Sequence, residues 1–223
     1  MAIKNRYEFM YYVACTNCNP NGDPDMGNTP RIDPQTMQGY LTDVSTKRRI
    51  RNYVQTAYTG EDGMEIIIQQ STNINRHIAR AKREAGFEDC AKGKDAVYAG
   101  RRKACALFYD VRTFGAVMST GPNAGQVRGP VQITFGKSLD PILPLDISIT
   151  RMAVAKTVGD NTLETYLADE QNTPEDELRT MGRKQIIPFG LYEVRGFISA
   201  NLAGETGFDD NDLKVLEEIR KQL

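Results

Sequence analysis

Four aspartates in the N-terminal part of the chain are the residues best suited to metal chemistry. Asp23, Asp25 and Asp33 lie in one turn-rich stretch, and Asp43 follows it. Grouped carboxylates can hold metal ions that hydrolyse a phosphodiester bond. Asp next to Pro or Gly is also typical of turns, and an acid such as Asp43 is favoured where a helix begins. The pattern favours turn chemistry and leaves a metal-dependent endoribonuclease as the alternative function.

The thiols offer a second pattern that is typical of metal sites. Cys15 and Cys18 have the two-residue gap of a zinc half-site, but Cys90 and Cys105 do not repeat that spacing. The single histidine, His77, has no evident partner that would make it a general base. We therefore expect reduced thiols, no metal, no cofactor and no catalytic residue.

Cations form the other group that could act on a ligand. On the wheel of a predicted helix, Lys47, Arg48 and Arg51 fall within about 100° of one another and away from the apolar stripe, so we expect them to share an exposed face. Predicted loops and strand ends add cations and amides that can contact phosphates without reading sequence. These are Arg31, Arg128, Arg151, Arg183, Lys184, Asn17, Asn19 and Asn21. Met152 is either a core residue or an apolar wedge between bases.

The charge of the chain is unevenly distributed. Its 223 residues carry a formal net charge of −1, which gives no overall excess of cations. Cations nevertheless predominate over residues 44–103, and acids predominate over residues 157–223. This asymmetry suits a protein that holds a polyanion on one surface, and it also suits copies that stack basic side to acidic side. A predicted helix stripe of Arg76, Arg80 and Arg83 is the surface that we expect to serve in stacking.

The apolar pattern of the sequence indicates an intracellular protein. No apolar run approaches the ~20 residues that cross a bilayer. The stretch 3–13 is interrupted by Lys4, Arg6 and Glu8, unlike the core of a signal peptide. We expect a cytoplasmic protein.

Hydrophobic periodicity predicts a mixture of helices and strands. A strand over 7–14, apolar on both faces, is expected at the centre of a sheet, and a long loop without regular structure follows over 15–40. Helices are predicted over 42–57, 73–85, 95–107 and 209–223, with Leu213, Leu216, Ile219 and Leu223 on one face of the last. Strands are predicted over 64–68, 127–135, 147–154 and 192–201, residues 112–118 are ambiguous, and 156–180 is expected to be flexible. Because a ferredoxin-like fold would continue after the last helix, we expect a core strand to be missing at the C terminus.

Several stretches, in this order along the chain, resemble the backbone subunit of the subtype I-C CRISPR Cascade surveillance complex, a member of the RAMP superfamily. They are YVACTNCNPNGDPDMGNTPRID (12–33), TDVSTKRRIRNYV (42–54), DVRTFGAVMS (110–119), QVRGPVQITF (126–135), ITRMAV (149–154) and MGRKQIIPFGLYEVRGFISA (181–200). The resemblance covers nearly the whole chain.

The resemblance implies an α+β fold with an RNA-recognition-motif-like (ferredoxin-like) core, helical insertions and a β-hairpin called the thumb. It implies a single elaborated domain over 1–223, with an RNA-facing loop over 15–40, a helical insertion over 60–108 and a thumb over 150–190. It also implies a non-catalytic scaffold in antiviral defence. Such a scaffold binds crRNA along its sugar-phosphate backbone and stacks head to tail with other copies, beside other Cascade subunits, to present the guide to a target DNA strand.

The same resemblance assigns roles to residues. It gives Lys47, Arg48 and Arg51 the contact with guide phosphates, and it lets Asn17, Asn19 and Asn21 line the same groove. Arg151, Met152, Arg183 and Lys184 would lie near the RNA in the thumb. A protein that accepts any guide sequence is expected to bind phosphate and ribose rather than base edges.

Overall fold

A computed structural model describes residues 2–222, and the side chains of residues 2–219. Leu223, predicted on the apolar face of the last helix, lies outside the described residues. The chain divides into two compact units. The core unit comprises Met1–Val13, Tyr40–Leu139 and Leu191–Leu223, and the hairpin unit comprises Ala14–Gly39 and Asp140–Gly190.

The described residues form ten strands and seven α-helices. The strands are β1 (Tyr7–Cys18), β2 (Gly22–Asp23), β3 (Thr29–Pro30), β4 (Gln38–Leu41), β5 (Gly115–Met118), β6 (Gly125–Arg128), β7 (Val131–Ile133), β8 (Gly136–Pro141), β9 (Leu145–Arg151) and β10 (Thr180–Ile198). The helices are α1 (Asp43–Ala57), α2 (Ile74–Glu84), α3 (Lys94–Leu107), α4 (Tyr109–Phe114), α5 (Leu163–Asn172), α6 (Ala200–Thr206) and α7 (Asp210–Gln222).

The long strand β10 organises the main sheet, whose order is β1-β10-β8-β4. Within the core unit, β10 pairs antiparallel with β7 through Gly196–Ile133 and with β8 through Tyr192–Ser138. Within the hairpin unit, it pairs antiparallel with β9 over seven residues, from Thr180–Arg151 to Ile186–Leu145. The fold is therefore mixed α+β with an antiparallel sheet.

Strand β1 lies at the edge of this sheet, so the prediction of a central strand covered on both faces is wrong. Met10 and Tyr12 are 49% and 50% exposed, while Phe9 and Tyr11 on the alternate face are partly buried. Apolar residues on both faces of a strand do not reveal which face the fold covers, because that depends on distant elements.

The predictions of the longer helices are confirmed, and the caps of α1 and α2 can be read from the sequence. The Thr42 hydroxyl accepts a hydrogen bond from the Ser45 amide at 3.3 Å, and the Asn73 side chain accepts one from the Asn75 amide at 3.0 Å. Each cap satisfies an amide that a helix start leaves without a partner. Helices α1 and α2 begin directly after these caps, and α3 and α7 also begin within one residue of their predicted starts.

Helices α2, α3 and α4 build a separate hydrophobic core with β5 and β6. Its buried residues are Ile67, Ile78, Ala81, Ala104, Cys105, Phe108, Val111, Met118 and Ala124. The ambiguous region 112–118 resolves into the end of α4 followed by β5. This core gives the polar residues around it a rigid support.

Several shorter segments differ from the prediction. Residues 15–40 contain the end of β1, the β2–β3 ladder and a 3₁₀ turn, and residues 156–180 contain α5, which Thr162 and Thr165 close with a capping box. The strand predicted over 64–68 is only a bridge between Glu65 and Phe108. The strand predicted over 127–135 is broken between β6 and β7, and the end of 192–201 is already α6. None of the described helices is long and apolar enough to cross a membrane.

Candidate nucleic-acid interface

The α1 cations converge on an aromatic ring. The Nζ atom of Lys47 lies 5.7 Å from the centroid of the Phe114 ring, and the guanidinium carbon of Arg51 lies 5.3 Å from it. Both distances are within the range of a cation–π attraction. The ring therefore holds two of the three predicted cations close to each other.

Arg51 is buried, so the prediction that it lies on an exposed face is wrong. Its Nε donates to an Asp110 carboxylate oxygen at 2.8 Å, and the two side chains are 10% and 0% exposed. Asp110 also accepts hydrogen bonds from the amides of Ile67 at 2.9 Å and Ile68 at 3.3 Å. The α1 face opposite the apolar stripe packs against α4 and segment 66–68, which the wheel of one helix cannot show.

Lys47 and Arg48 are also less exposed than predicted. Lys47 Nζ makes an ion pair with Asp43 at 2.8 Å, one helical turn away, and its side chain is 16% exposed. Arg48 donates to the Ile68 carbonyl at 3.2 Å. Both side chains are half-buried, and a ligand phosphate would have to share or displace these partners.

Arg128 lies next to the junction of α4 and β5 in the core unit. It is exposed at the end of β6, and its Cα pairs with that of Gly115, directly after Phe114. Arg128 makes no ion pair with any residue that the structure describes. Its guanidinium is consequently available to an anion.

In the hairpin unit, the predicted amides and Arg31 are organised by turn contacts. Arg31 donates to Asp23 at 2.8 Å, and Asn19 donates through Nδ2 to the Asn28 carbonyl at 2.6 Å. Asn17 is exposed and has a φ of 49°, and the Asn21 carbonyl accepts the Arg31 amide at 3.2 Å. The loop is more ordered by its own hydrogen bonds than the sequence suggests, and the Asn19 amide donor is already used.

The charged side chains of the β9–β10 hairpin are exposed to solvent. Arg151 donates to the Ala153 carbonyl at 2.9 Å, and Arg183 makes an ion pair with Asp146 at 2.9 Å. The Lys184 side chain is exposed and makes no ion pair with the described residues. Met152 is 66% exposed just beyond the end of β9, so the interpretation of Met152 as a core residue is wrong.

The carboxylates proposed for metal catalysis serve the turns. Asp23 accepts from Arg31 and from the Asp25 amide, and Asp33 accepts from the Gln35 amide. Over residues 2–222, no group of three or more His, Cys, Asp or Glu is arranged to hold a metal ion. Cys15 is buried in β1 and Cys18 is only partly buried, and within the described residues none of the four cysteines forms a disulfide.

His77 is enclosed by the core rather than placed in an open site. It packs edge-on against Phe108 with 5.5 Å between ring centroids and is only 4% exposed. Burial lowers the pKa of His77 below its ordinary value of 6.5, and the nearby cations of Arg76 and Arg80 lower it further. A buried neutral imidazole suits packing better than proton transfer to a ligand.

The second basic stripe is largely neutralised within the chain. Arg80 makes an ion pair with Glu65 at 2.7 Å, and Arg83 makes one with Asp89 at 2.6 Å. Only Arg76 of this stripe is exposed without an ion pair to a described residue. The stripe therefore offers one available cation for stacking rather than three.

Sequence reasoning missed Asp110 and Phe114, which hold the α1 cations in place. A signal was present, because Asp110 lies between Tyr109 and Val111 in an otherwise apolar run. An acid in such a run is seldom fully buried unless it is paired. The partner, Arg51, is 59 residues away in sequence, so only the fold reveals the pair.

These features define a mixed α+β protein whose polar surfaces suit an anion better than a metal ion. The chain belongs to the family of the CRISPR-associated protein Cas7, whose family model matches residues 5–222. A CRISPR-associated protein Cas7 of Haloferax volcanii is 25% identical to this chain over an alignment of 239 positions. The alignment covers 98% of this chain. The chain spans 64% of the length of that relative.

Solved structures show the same fold. A chain of a CRISPR RNA-guided surveillance complex in a pre-nicking state matches 96% of this chain and 70% of its own length, with a TM-score of 0.57 and 14% identity. A chain of another CRISPR RNA-guided surveillance complex matches 97% of this chain and 59% of its own length, with a TM-score of 0.50 and 12% identity.

Proposed function

We propose that this protein is a crRNA-binding backbone subunit of a CRISPR surveillance complex, and that the complex is a Cascade of subtype I-C acting in the cytoplasm in antiviral defence. The observation that carries the proposal is the family match over residues 5–222. The I-C-like stretches of the sequence support the subtype. An RNA-recognition-motif-like core is proposed for the sheet of the core unit and the helices that pack on it.

Binding is proposed to depend on phosphates and not on bases. Lys47, Arg48 and Arg128 would contact the sugar-phosphate backbone from the core unit, with Arg51 holding the α1 surface in shape. Arg31, Asn17, Asn19 and Asn21 would contribute from the 15–40 loop of the hairpin unit. Contacts of this kind give affinity for any sequence and weaken as salt rises.

The region 150–190 is proposed to be the thumb, together with the rest of the β9–β10 hairpin, which begins at Leu145. Its exposed Lys184 and Arg183 would contact phosphates, together with Arg151. Met152 is exposed, flexible and apolar, which suits a residue that inserts beside a base. The guide would then be left in short open segments that can pair with a target DNA strand.

Other copies of the chain, stacked head to tail, and other Cascade subunits are the proposed protein partners. A head-to-tail contact is heterologous and continues from copy to copy without closing. Exposed apolar residues along β9, namely Leu145, Ile147 and Ile149, support a protein partner for the hairpin, since an isolated two-stranded ribbon is only marginally stable in water.

The subunit is proposed to be a scaffold and not an enzyme. Asp23 and Asp33 are engaged in turn contacts, which disfavours the alternative of a metal-dependent endoribonuclease. A cleavage assay on the RNA-bound protein with and without Mg²⁺ separates the two functions. Cleavage that needs Mg²⁺ and is lost in Asp33→Ala would support the endoribonuclease instead.

The direct test of the scaffold function is the RNA that the protein carries when purified from cells with a guide. We expect heterogeneous short RNA at a fixed number of nucleotides per protein copy, because each copy would cover one segment of backbone. Absence of RNA, or a ratio that varies between preparations of equal purity, would contradict the proposal.

A further inference from the structure

A cleft in the core unit brings together arginines that the proposed guide contacts do not include, apart from Arg128. Arg101 and Arg102 on α3 and Arg128 on β6 line a cavity of about 560 Å³, with Tyr98 at its rim. Tyr98 is 55% exposed, and Arg102 and Arg128 are exposed as well. The cleft is therefore large enough for a bound group and open to solvent.

The arginines of this cleft lack carboxylate partners. Among the described residues, no ion pair or hydrogen bond engages the guanidinium of Arg101, Arg102 or Arg128. The Nε of Arg101 is buried and has no hydrogen-bond partner at all. Glu205 is the carboxylate that lines the cavity, and it pairs with none of them. By contrast, the exposed Arg6 and Arg195 each contact a neighbouring glutamate at 2.6 Å.

Tyr98 orients the two α3 arginines. The guanidinium carbons of Arg101 and Arg102 lie 5.6 Å and 6.0 Å from the centroid of the Tyr98 ring. A guanidinium that stacks on an aromatic face keeps the N–H groups at its edge available for oxygen acceptors. This arrangement suits the fork-like recognition of a phosphate.

The cleft adjoins the α1 cations through a short run of residues. Lys47 and Arg51 pack on Phe114, the next residue is Gly115, and Gly115 pairs with Arg128 at the edge of the cleft. The α1 cations and the cleft arginines therefore lie in neighbouring parts of the core unit. A polyanion with several charges could engage both groups, whereas a single carboxylate would engage only one.

From these observations we infer that the cleft of Tyr98, Arg101, Arg102 and Arg128 binds the phosphodiester backbone of a single-stranded nucleic acid. The inference adds the α3 arginines to the proposed guide contacts, and it rests on the proposed function where the guide is the source. Two sources offer the same chemistry, namely a further segment of the guide RNA and a separate DNA strand. An acidic protein segment, such as residues 160–177 of a second copy, would be a different class of ligand.

The test uses Arg101→Ala with Arg102→Ala, the two α3 arginines of the cleft that the proposed guide contacts do not include. Binding of added short single-stranded RNA and DNA of mixed sequence is followed by fluorescence anisotropy between about 50 and 200 mM salt. We expect the slope of log affinity against log salt to fall by about 0.7 for each lost contact. Adding Arg128→Ala should reduce it again by a similar amount.

The matched control is Arg6→Ala with Arg195→Ala, which removes the same charge from arginines that already have carboxylate partners. It should leave the slope nearly unchanged. If the cleft variant also lowers the RNA carried per copy, the guide is the source of the phosphodiester. If only added DNA binds more weakly, the source is a separate strand.

Two results would overturn the inference. One is an equal fall of the salt slope in the cleft variant and the control, which would mean that only the net charge of the protein matters. The other is unchanged binding of nucleic acid with loss of binding to a peptide of residues 160–177, which would identify an acidic protein segment as the ligand. Failure of the guide-binding function shows itself elsewhere, as absence of co-purified RNA in the unmodified protein.

Discussion

Arg51 and Asp110 form a buried ion pair on which the α1 surface depends. The carboxylate accepts the Arg51 guanidinium together with the amides of Ile67 and Ile68. Two charges taken out of water need such complete pairing, because each is costly to bury alone. Arg51 is therefore better described as a residue that positions its neighbours than as one that meets a ligand freely.

Replacing Arg51 with Ala should destabilise the fold strongly. The change leaves the Asp110 carboxylate buried without its cation, and such a loss costs about 3–5 kcal/mol in the free energy of unfolding. Arg183→Ala is the control, since its ion pair with Asp146 is at the surface and is expected to contribute at most about 1 kcal/mol. Urea unfolding measures both values. Equal small losses would mean that the Arg51–Asp110 pair does not support the fold.

The single histidine provides a pH prediction at the same scale. Burial holds the pKa of His77 below 6.5, so the unfolded chain takes up this proton first as the pH falls. The contribution of His77 to stability is therefore complete above pH 6.5 and is lost as the pH drops through its folded pKa. NMR titration of the His77 ring protons should give a value below 6.5. A value at or above 6.5 would contradict the buried placement against Phe108.

At the scale of elements, the sequence predicts the start of a helix best where a capping residue marks it. Thr42 and Asn73 are caps that can be read directly, and α1 and α2 start where these residues predict. The helix α5 was missed because Thr165, rather than the usual acid or amide, completes its capping box with Thr162. The edge position of β1 and the 19-residue length of β10 depend on pairing between distant segments, which periodicity does not report.

Gly129, directly after β6, lies very close to the backbone where α4 meets β5. A Cβ atom at Gly129 would collide with the backbone at Phe114 and Gly115. Gly129→Ala should therefore move Arg128 away from Phe114 and destabilise the core unit by about 1–3 kcal/mol, as overpacking does. Thermal unfolding measures the loss.

The control for this change is Gly204→Ala on α6, where an added Cβ meets no atom within 4 Å. It should be neutral or stabilising by up to about 1 kcal/mol, because alanine favours the helix. If Gly129→Ala proved as harmless as Gly204→Ala, the junction would not be as tightly packed as its geometry indicates.

At the scale of the whole molecule, a net charge of −1 conceals an uneven distribution of cations and acids along the chain. The family and the α+β class could be anticipated from the sequence, because the motifs extend over nearly the whole chain. The division into two units could not, since both are assembled from segments far apart in sequence. The exposure of the cations was predicted less well, because internal ion pairs such as Arg80–Glu65 decide which of them remain available.

The most direct test of the account measures how the RNA affinity of the protein depends on salt for two guides of unrelated sequence. Lys47→Ala with Arg48→Ala is the variant, and Arg6→Ala with Arg195→Ala is the control. If backbone phosphates are bound, the variant should lose the same affinity for both guides, and its salt slope should fall by about 0.7 for each lost contact. A loss that differs between the guides, or an unchanged slope, would contradict binding through the sugar-phosphate backbone.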